Sequence, residues 1–237
     1  MSEFNQSVVV ITGAAGNLGR AVAQSFAAQG AHLALLDRNT AGIDDTIAAC
    51  QGQASARAFP IDLIDPASVG QCIDDVLDAF GRVDILANIA GGFTMGPTVP
   101  ETSDRDWDFM MNLNARSVFN MCRRVIPTMH DNGGGRIINV SARAAEQGKA
   151  RMGPYCASKA AVLTLTESLA AENRFDNINV NCILPGTIDT PQNREAMPDA
   201  DFDRWVPPAA LADVVLFLAS DAARCVTGAA IPVYGQS

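Results

Sequence analysis

Tyr155 and Lys159 are the two residues of this sequence whose types and spacing point most directly to catalysis. They lie four positions apart in the run YCASK, and residues four apart on an α-helix project from the same face. A positive charge near a tyrosine favours the phenolate and moves its pKa from the usual ~10 towards neutral pH. We therefore predict that Tyr155 is a general acid–base and that Lys159 supplies part of the charge.

Ser141 is a further candidate, because it closes the apolar run GRIINVS at 135–141. Such a run predicts a buried strand, and side chains at the carboxyl end of a parallel strand face the crevice where open α/β sheets bind ligands. A hydroxyl there could hydrogen bond a substrate oxygen and hold it near Tyr155. Taken alone, Ser141 could equally be a strand-end cap, and Tyr155 with Lys159 an ordinary amphipathic pair.

A glycine-rich turn, TGAAGNLG, places Gly13, Gly16 and Gly19 between the first apolar run and a helical pattern. Glycines let the backbone turn with positive φ and approach a pyrophosphate, and the N-terminus of the following helix offers free N–H groups to an anion. This context is typical of a dinucleotide site. A turn that joins strand to helix without any ligand is the alternative.

Asp37 ends the second apolar run, about two dozen residues after Gly13. A carboxylate at this place can accept hydrogen bonds from the adenosine ribose hydroxyls, and it would repel a ribose 2′-phosphate. The neighbouring Arg38 could receive that phosphate if its side chain turned inward. The sequence therefore predicts NAD as cofactor, with NADP as the less favoured alternative.

The elements that must position these residues follow from an alternation of short β-branched runs with longer helical patterns. This alternation predicts βαβ units, and the nearly continuous apolar character of several runs predicts a parallel sheet with helices on both faces. We expect one α/β domain over 1–237, a doubly wound Rossmann fold with about seven strands. The predicted strands are 8–12, 32–37, 56–62, 84–90, 135–141 and 178–184, and the predicted helices are 18–29, 40–51, 66–80, 104–130, 155–175 and 209–218.

Composition and charge restrict the partners of the chain. It has 26 acidic and 17 basic residues and a formal charge of −9, which repels nucleic-acid phosphates and anionic lipid. No uncharged stretch reaches the ~20 apolar residues of a membrane span, and the start MSEFNQSVVV lacks the basic region of a signal peptide. The six cysteines form no CxxC pair and there are two histidines, so we expect buried thiols and no metal site. These features predict a cytoplasmic protein that binds neither nucleic acid nor membrane.

The turn TGAAGNLG and the run YCASK together make this sequence similar to the short-chain dehydrogenase/reductase family. Further matches occur in the family's order and extend the resemblance over nearly the whole chain: Asp62, the run NIAG at 88–91, Ser141 and the pair Pro185-Gly186. Asn17 and Ile89 depart from the commonest family pattern, but neither is a proton-transfer residue.

The resemblance implies that Tyr155 exchanges a proton with a carbonyl or alcohol oxygen while hydride moves between a nicotinamide and the adjoining carbon. Lys159 would hold the nicotinamide ribose, and a helix asparagine would hold a water that links Lys159 to solvent. Asn112 and Asn114 both compete for that role, and the interval to Ser141 favours Asn114. The cofactor contacts implied by motif position are Gly13, Asn17, Leu18, Gly19, Asp37, Arg38, Asp62, Leu63, Asn88, Ala90, Gly91, Tyr155, Lys159, Pro185, Gly186, Ile188 and Thr190.

The substrate is less readable than the cofactor. The stretch at 184–205, LPGTIDTPQNREAMPDADFDRW, resembles the corresponding part of dihydropteridine reductases, so quinonoid dihydropterin is an alternative substrate. Phe93, Met152 and Trp205 could form an apolar wall for a ring or an acyl chain, or could simply belong to the core. Other residues expected near the substrate are 92–94, Ala142, Arg143, Gln147 and 189–205.

The leading hypothesis is an NAD(H)-dependent carbonyl reductase or alcohol dehydrogenase acting on a small molecule, with a 3-oxoacyl thioester reductase as one version. A dinucleotide-sensing binding module without turnover is the alternative from another class. The presence of Asn114, Ser141, Tyr155 and Lys159 together argues against that module, because binding alone does not need a proton path. The resemblance also implies that the helices predicted near 107–130 and 155–175 pair between subunits, which favours a homotetramer or homodimer.

Overall fold

One parallel sheet organises the computed structural model, which describes residues 3–50 and 55–236. Its seven strands are β1 (Val8–Thr12), β2 (His32–Asp37), β3 (Ala56–Pro60), β4 (Ile85–Asn88), β5 (Gly135–Val140), β6 (Ile178–Pro185) and β7 (Ala230–Val233). They lie in the order β3-β2-β1-β4-β5-β6-β7, and neighbouring strands are parallel throughout. The predicted fold class, a Rossmann-like α/β sheet, is confirmed.

Helices cover both faces of this sheet. They are α1 (Asn17–Ala28), α2 (Thr40–Ala49), α3 (Pro66–Phe80), α4 (Asp104–Met111), α5 (Ser117–Asp131), α6 (Gly153–Glu172), α7 (Pro191–Ala196) and α8 (Pro208–Ala219). In β1, Val9 and Ile11 pack with residues of α1, α2 and α8, whereas Val10 packs with residues of α3, α5 and α6. Every β1 side chain is buried because successive side chains point to opposite faces and both faces are covered.

The chain reverses its direction of winding beside β1, which pairs with β2 on one side and β4 on the other. A crevice opens at the carboxyl ends of strands at such a switch point, where ligands bind in doubly wound sheets. The segments that follow β1 and β4 meet there. A Cβ added to Gly13 would lie 2.8 Å from the backbone of Ala90. The fold therefore brings the glycine turn next to the NIAG run.

Two predicted element boundaries were wrong in ways that affect the site. Strand 56–62 ends at Pro60, so Asp62 lies in the loop beyond it. The chain turns there because the Asp62 N–H donates to Ser68 Oγ (2.9 Å) and the Ile64 N–H donates to Asp62 Oδ1 (3.2 Å). Helix α6, which was predicted to begin at Tyr155, begins at Gly153, since Pro154 suits the first turn of a helix.

The helix predicted over 104–130 is interrupted by a π-helical turn at residues 112–116. Its marker is the Ser117 N–H, which donates to the carbonyl of Asn112 five residues earlier. Turns of this kind insert one residue into a helix and are frequent at functional sites. No periodicity in the sequence announced this one, and Asn114 lies at its centre.

Other differences concern the ends and omissions of the prediction. The helix predicted over 40–51 ends at Ala49 with Cys50 as its C-cap, and Gln51 lies outside the described residues. The strand predicted over 84–90 spans Ile85–Asn88, and the helix predicted over 155–175 ends at Glu172. α7 and β7 were not predicted as segments. Within residues 3–50 and 55–236, no helix is both long enough and apolar enough for a membrane crossing.

Candidate active site

A cavity of about 1190 Å³ lies at the carboxyl end of the sheet and contains both the glycine turn and Tyr155. Most residues predicted to bind the cofactor or to act in catalysis line it. They are Gly13, Asn17, Leu18, Gly19, Asp37, Arg38, Asp62, Leu63, Ala90, Gly91, Ser141, Tyr155, Lys159, Pro185, Gly186, Ile188 and Thr190. The predicted residues that do not line it are Asn88 and Asn114, whose side chains are buried.

The glycine turn is packed so closely that larger residues do not fit. Gly13 has φ 68°, in the left-handed region that favours glycine. Gly19 lies against the carbonyl of Gly13, where an added Cβ would overlap the oxygen. Helix α1 starts directly after Gly16, which provides no side-chain cap to its first N–H groups. These uncapped donors at a twelve-residue helix suit the pyrophosphate of a dinucleotide.

Asp37 closes the other side of the turn. Its Oδ2 accepts a hydrogen bond from the Ala15 N–H (3.1 Å), and its Oδ1 accepts one from the Asn39 N–H (3.0 Å). Arg38 is exposed, and its guanidinium lies 3.7 Å from the Asp62 carboxylate. In this arrangement Asp37 lies at the cavity as an acceptor, as a ribose diol requires, while the side chain of Arg38 faces Asp62. The donors and acceptors present fit a nicotinamide adenine dinucleotide.

Tyr155 is half-buried in the first turns of α6, with its side chain at the cavity. The Phe93 ring packs edge-on against it, with centroids 4.9 Å apart and an interplanar angle of 82°. Burial raises the pKa of Tyr155 to about 12, and Cys156 adds a smaller rise. In the protein without cofactor, neighbouring positive charge therefore does not lower the pKa of Tyr155 as expected, because burial of the phenol raises it. At neutral pH the phenol is protonated and can donate.

Lys159 is buried on the same face of α6, and its Nζ donates to the carbonyl of Val140 (2.9 Å). Burial lowers the pKa of this ammonium to about 8, while Cys182 acts weakly in the opposite direction. Glycine at position 91 leaves the amine accessible, because a Cβ there would lie 3.0 Å from Lys159 Nζ and 2.9 Å from Asn114 Oδ1. Gly91, Lys159 and Asn114 thus surround one small space.

Asn114 is fully buried in the π-helical turn and bonds to the loop after β4 through both ends of its amide. Its Oδ1 accepts from the Gly92 N–H (2.9 Å), and its Nδ2 donates to the Gly92 carbonyl (3.1 Å) and to Ser158 Oγ (3.0 Å). Asn112 instead accepts from Arg116 Nε through Oδ1 (2.8 Å). Of the two candidates, the structure brings only Asn114 beside the lysine amine.

Ser141 follows β5 directly and is almost completely buried. Its Oγ donates to the backbone carbonyl of Lys159 (2.7 Å), which ties α6 to the end of β5. In this rotamer the hydroxyl oxygen can still accept a hydrogen bond, whereas donation to a substrate oxygen requires the hydroxyl hydrogen to rotate about the Cβ–Oγ bond, away from the Lys159 carbonyl. Ser141 is therefore close to the reacting residues, but its hydroxyl hydrogen already forms a hydrogen bond with the Lys159 carbonyl.

The side chain of Asn88 does not line the cavity, because it is engaged by neighbouring side chains in the core. Its Nδ2 donates to Asn139 Oδ1 (2.9 Å) and lies 3.5 Å from Cys122 Sγ. Asn139 Nδ2 in turn donates to Thr166 Oγ1 (2.9 Å) on α6. The three polar side chains form a buried chain of hydrogen bonds that joins β4, β5 and α6 beneath the cavity. Asn88 is a structural residue of the site rather than part of its lining.

Sequence reasoning missed several residues that line the cavity. The largest are Met95, Phe109 and Leu113, and Lys149 adds a cation beside the expected Arg143. Met197 also lines the cavity and falls within the expected range 189–205. Phe109 carries no distinguishing signal in the sequence, because it stands beside Trp107, Met110 and Met111 in the run DRDWDFMM. Trp205, proposed as part of an apolar wall, instead packs on Phe202 with ring centroids 4.8 Å apart and does not line the cavity.

Comparison with known proteins adds evidence that does not depend on this geometry. A family model described as short chain dehydrogenase matches residues 7–201. A D-threitol dehydrogenase of Mycolicibacterium smegmatis is 36% identical, over 96% of this chain and 91% of the relative. A 3-oxoacyl-[acyl-carrier-protein] reductase of Thermotoga maritima is 32% identical, over 96% of both chains.

Solved structures show the same architecture. A xylitol dehydrogenase with bound NAD⁺ superimposes with a TM-score of 0.92 at 28% identity, covering 98% of this chain and 99% of the other. The fold is therefore one that dehydrogenases and reductases of different names share with this chain.

Proposed function

This chain belongs to the short-chain dehydrogenase/reductase family of oxidoreductases, and from that premise we propose that it interconverts a carbonyl and a secondary alcohol with NAD(H) as cofactor. The observation that carries the proposal is the common cavity of the glycine turn, Ser141, Tyr155 and Lys159. When bound, the nicotinamide supplies or accepts the hydride. Because the cofactor site and these side chains share one cavity, the substrate needs to bind at only one place on the protein.

Tyr155 gives a proton to the carbonyl oxygen in reduction and removes one from the hydroxyl in oxidation. Its raised pKa suits the first role directly. The second role requires positive charge nearby, which Lys159 and an oxidised nicotinamide provide. Ser141 holds the substrate oxygen close to the phenol once its hydroxyl has turned from the Lys159 carbonyl.

Lys159 also reaches the ribose of the nicotinamide, because its amine opens towards the cavity beside Gly91. Asn114 acts through the small space that it shares with that amine. A water held there would carry protons between Lys159 and solvent. Asn114 is thus a positioning residue for the proton path, and Lys159 links it to Tyr155.

The proposal of NAD rather than NADP depends on Asp37. A ribose 2′-phosphate would bring negative charge close to this carboxylate, which already accepts from two backbone N–H groups. Arg38 offsets this only in part, since it is exposed and faces Asp62. The expected preference is therefore for NADH, with measurable use of NADPH.

Three further expectations belong to the proposal. The chain forms one domain over 1–237 and assembles as a homotetramer or homodimer through α4, α5 and α6, where exposed Trp107 and Phe119 support a contact. Five of the six cysteines are buried and all are free thiols, which favours a reducing, cytoplasmic location. Light scattering coupled to size exclusion measures the subunit number directly.

The function is tested by initial rates of NADH and NADPH oxidation with neutral ketones, 3-oxoacyl thioesters and quinonoid dihydropterin. Turnover of a ketone or thioester supports the proposal. Turnover restricted to dihydropterin assigns the second enzyme hypothesis, which the residues at 184–205 motivate. NADH binding without any turnover in the panel contradicts both and favours a binding module.

A further inference from the structure

Large apolar side chains stand unusually exposed where they line the cavity. Phe93, Met95, Phe109 and Met197 are 52%, 59%, 54% and 41% exposed, and they belong to three separate parts of the chain. Exposed apolar groups that converge on one concave surface mark a binding site, whereas scattered ones need no explanation. Such a surface gains free energy when an apolar ligand covers it.

Phe93 places this apolar surface at the reacting group. Its ring lies edge-on to Tyr155 at 4.9 Å, so a molecule whose oxygen meets the phenol has its carbon skeleton beside Phe93. Met152, next to α6, packs with Tyr155 against Ala142. The phenol therefore has apolar neighbours on more than one side.

A two-point contact fixes the loop that carries Phe93. The Gly96 N–H donates to the Arg151 carbonyl (2.9 Å), and Arg151 Nε donates to the Gly96 carbonyl (3.3 Å). Arg151 adopts φ 63°, a conformation that non-glycine residues rarely take. The loop is thus anchored to Arg151, two residues before the helix α6 that carries Tyr155.

Three polar side chains at the cavity already make a hydrogen bond within the protein. Asn112 accepts from Arg116 Nε (2.8 Å), Asn193 Nδ2 donates to the Ile188 carbonyl (2.8 Å), and Thr190 Oγ1 accepts from the Asn193 N–H (3.2 Å). A polyol needs a hydrogen-bonding partner for each hydroxyl that it loses from water. Each of these three side chains therefore has fewer donors or acceptors left to offer a polyol.

We infer that the substrate carries its reacting carbonyl or secondary alcohol on an apolar ring or chain that lies against Phe93, and is not a polyol. This inference rests on the proposed function and narrows it. It also separates this chain from relatives named as threitol and xylitol dehydrogenases. Arg143 and Lys149 are exposed cations that line the cavity, as Arg38 also is, so neutral compounds are the appropriate probes.

The test compares kcat/KM for 1-tetralol, cyclohexanol and xylitol oxidation with NAD⁺, in wild type and in Phe93→Ala. We expect kcat/KM to be at least about 100-fold higher for 1-tetralol than for xylitol, because only the first covers the apolar surface. Phe93→Ala should lower the 1-tetralol value at least about tenfold and leave the xylitol value nearly unchanged. Phe175→Ala removes another exposed phenylalanine that does not line the cavity and should change neither value.

A preference for xylitol overturns the inference, as does an equal loss for both alcohols in Phe93→Ala, which would show a general effect on Tyr155. A change in subunit number in Phe93→Ala with unchanged rates also overturns it, by assigning the surface to a second copy of the chain. If none of these alcohols is oxidised and no ketone or thioester is reduced, the proposed function fails by itself. Binding of 2-naphthol by fluorescence titration then decides the inference, which stands if wild type binds it more than about tenfold tighter than Phe93→Ala.

Discussion

The two halves of the cavity are built from different kinds of groups. In the half around Gly13, Gly19 and Asp37, the polar groups are backbone N–H groups, a helix N-terminus and one carboxylate, and their positions depend on where the backbone runs. In the half around Tyr155 and Phe93, side chains from distant elements form the surface. The first half is therefore fixed by chain geometry, whereas the second can change with single substitutions.

The largest expected effect comes from removing one oxygen in the reacting half. Tyr155→Phe should lower kcat by about 10²- to 10⁴-fold, because it removes the proton donor while keeping the ring beside Phe93. NADH affinity, measured by fluorescence titration, should stay within about twofold of wild type, since only the other half holds the dinucleotide phosphates.

Tyr234→Phe is the matched control, because it deletes the hydroxyl of the other tyrosine, which donates to Glu146. Its kcat should remain close to that of wild type. A Tyr155→Phe protein with undiminished turnover would remove the phenol from the proposed chemistry. A parallel loss of NADH binding would instead show that the two halves are not separable.

In the other half, Asp37→Ala should narrow the preference for NADH over NADPH by about tenfold, since an acceptor for the ribose hydroxyls and a repulsive charge are lost together. The measurement is the ratio of kcat/KM values for the two cofactors with one fixed substrate. The kcat with NADH at saturation should change little.

Asp44→Ala provides the comparison for charge alone, because Asp44 is an exposed residue of α2 that does not line the cavity. Its cofactor ratio should match that of wild type. A wild-type preference for NADPH would mean that Arg38 decides the selection and that Asp37 does not.

The smallest effect concerns the stability cost of the buried ammonium that both halves share. Burial lowers the pKa of Lys159 from 10.5 to about 8, so below about pH 8 the folded protein bears the full cost of a charged amine in its interior. Between about 8 and 10.5 the unfolded chain binds the extra proton, and the free energy of unfolding therefore rises with pH.

In Lys159→Met the free energy of unfolding should lack this rise with pH, because the variant has no buried amine to deprotonate. The Tm of wild type relative to Lys159→Met should increase between pH 7 and pH 9.5, by about 2–4 °C for each kcal/mol gained. Lys149→Met, a change of the exposed lysine, should track wild type over the same range. A constant Tm difference between wild type and Lys159→Met would show that the amine is not buried as a cation.

The same contrast between the two halves explains how much of the fold and of the site could be predicted from the sequence. The dinucleotide half follows from contiguous motifs, because a strand, a glycine turn and a helix are neighbours in the chain, and Asp37 comes at a nearly fixed interval. Tyr155 and Lys159 are likewise one helical turn apart. The parallel sheet follows from alternating runs. The sheet type and most of its elements were predicted with few errors in residue number.

The reacting half could not be assembled in this way. Phe93, Phe109 and Met197 meet only through the tertiary fold, and the π-helical turn that buries Asn114 has no periodic signal in the sequence. The buried side chain of Asn88 could not be predicted either, because a motif indicates that a residue belongs to a site but not whether its side chain faces the cavity or the core. Similarly, the pKa of Tyr155 depends on burial, which spacing does not give.

One contact crosses between the halves. Asn17 of the glycine turn donates through Nδ2 to Gln192 Oε1 of α7 (2.9 Å), near the surface. A ligand that accepts a hydrogen bond from the Asn17 amide would break its contact with α7. A ligand that moves α7 inward would in turn remove the Gln192 acceptor from Asn17. Such coupling is reciprocal, so each ligand changes the affinity of the other by the same factor. An exposed hydrogen bond is worth about 1 kcal/mol, which limits that cooperativity to roughly fivefold.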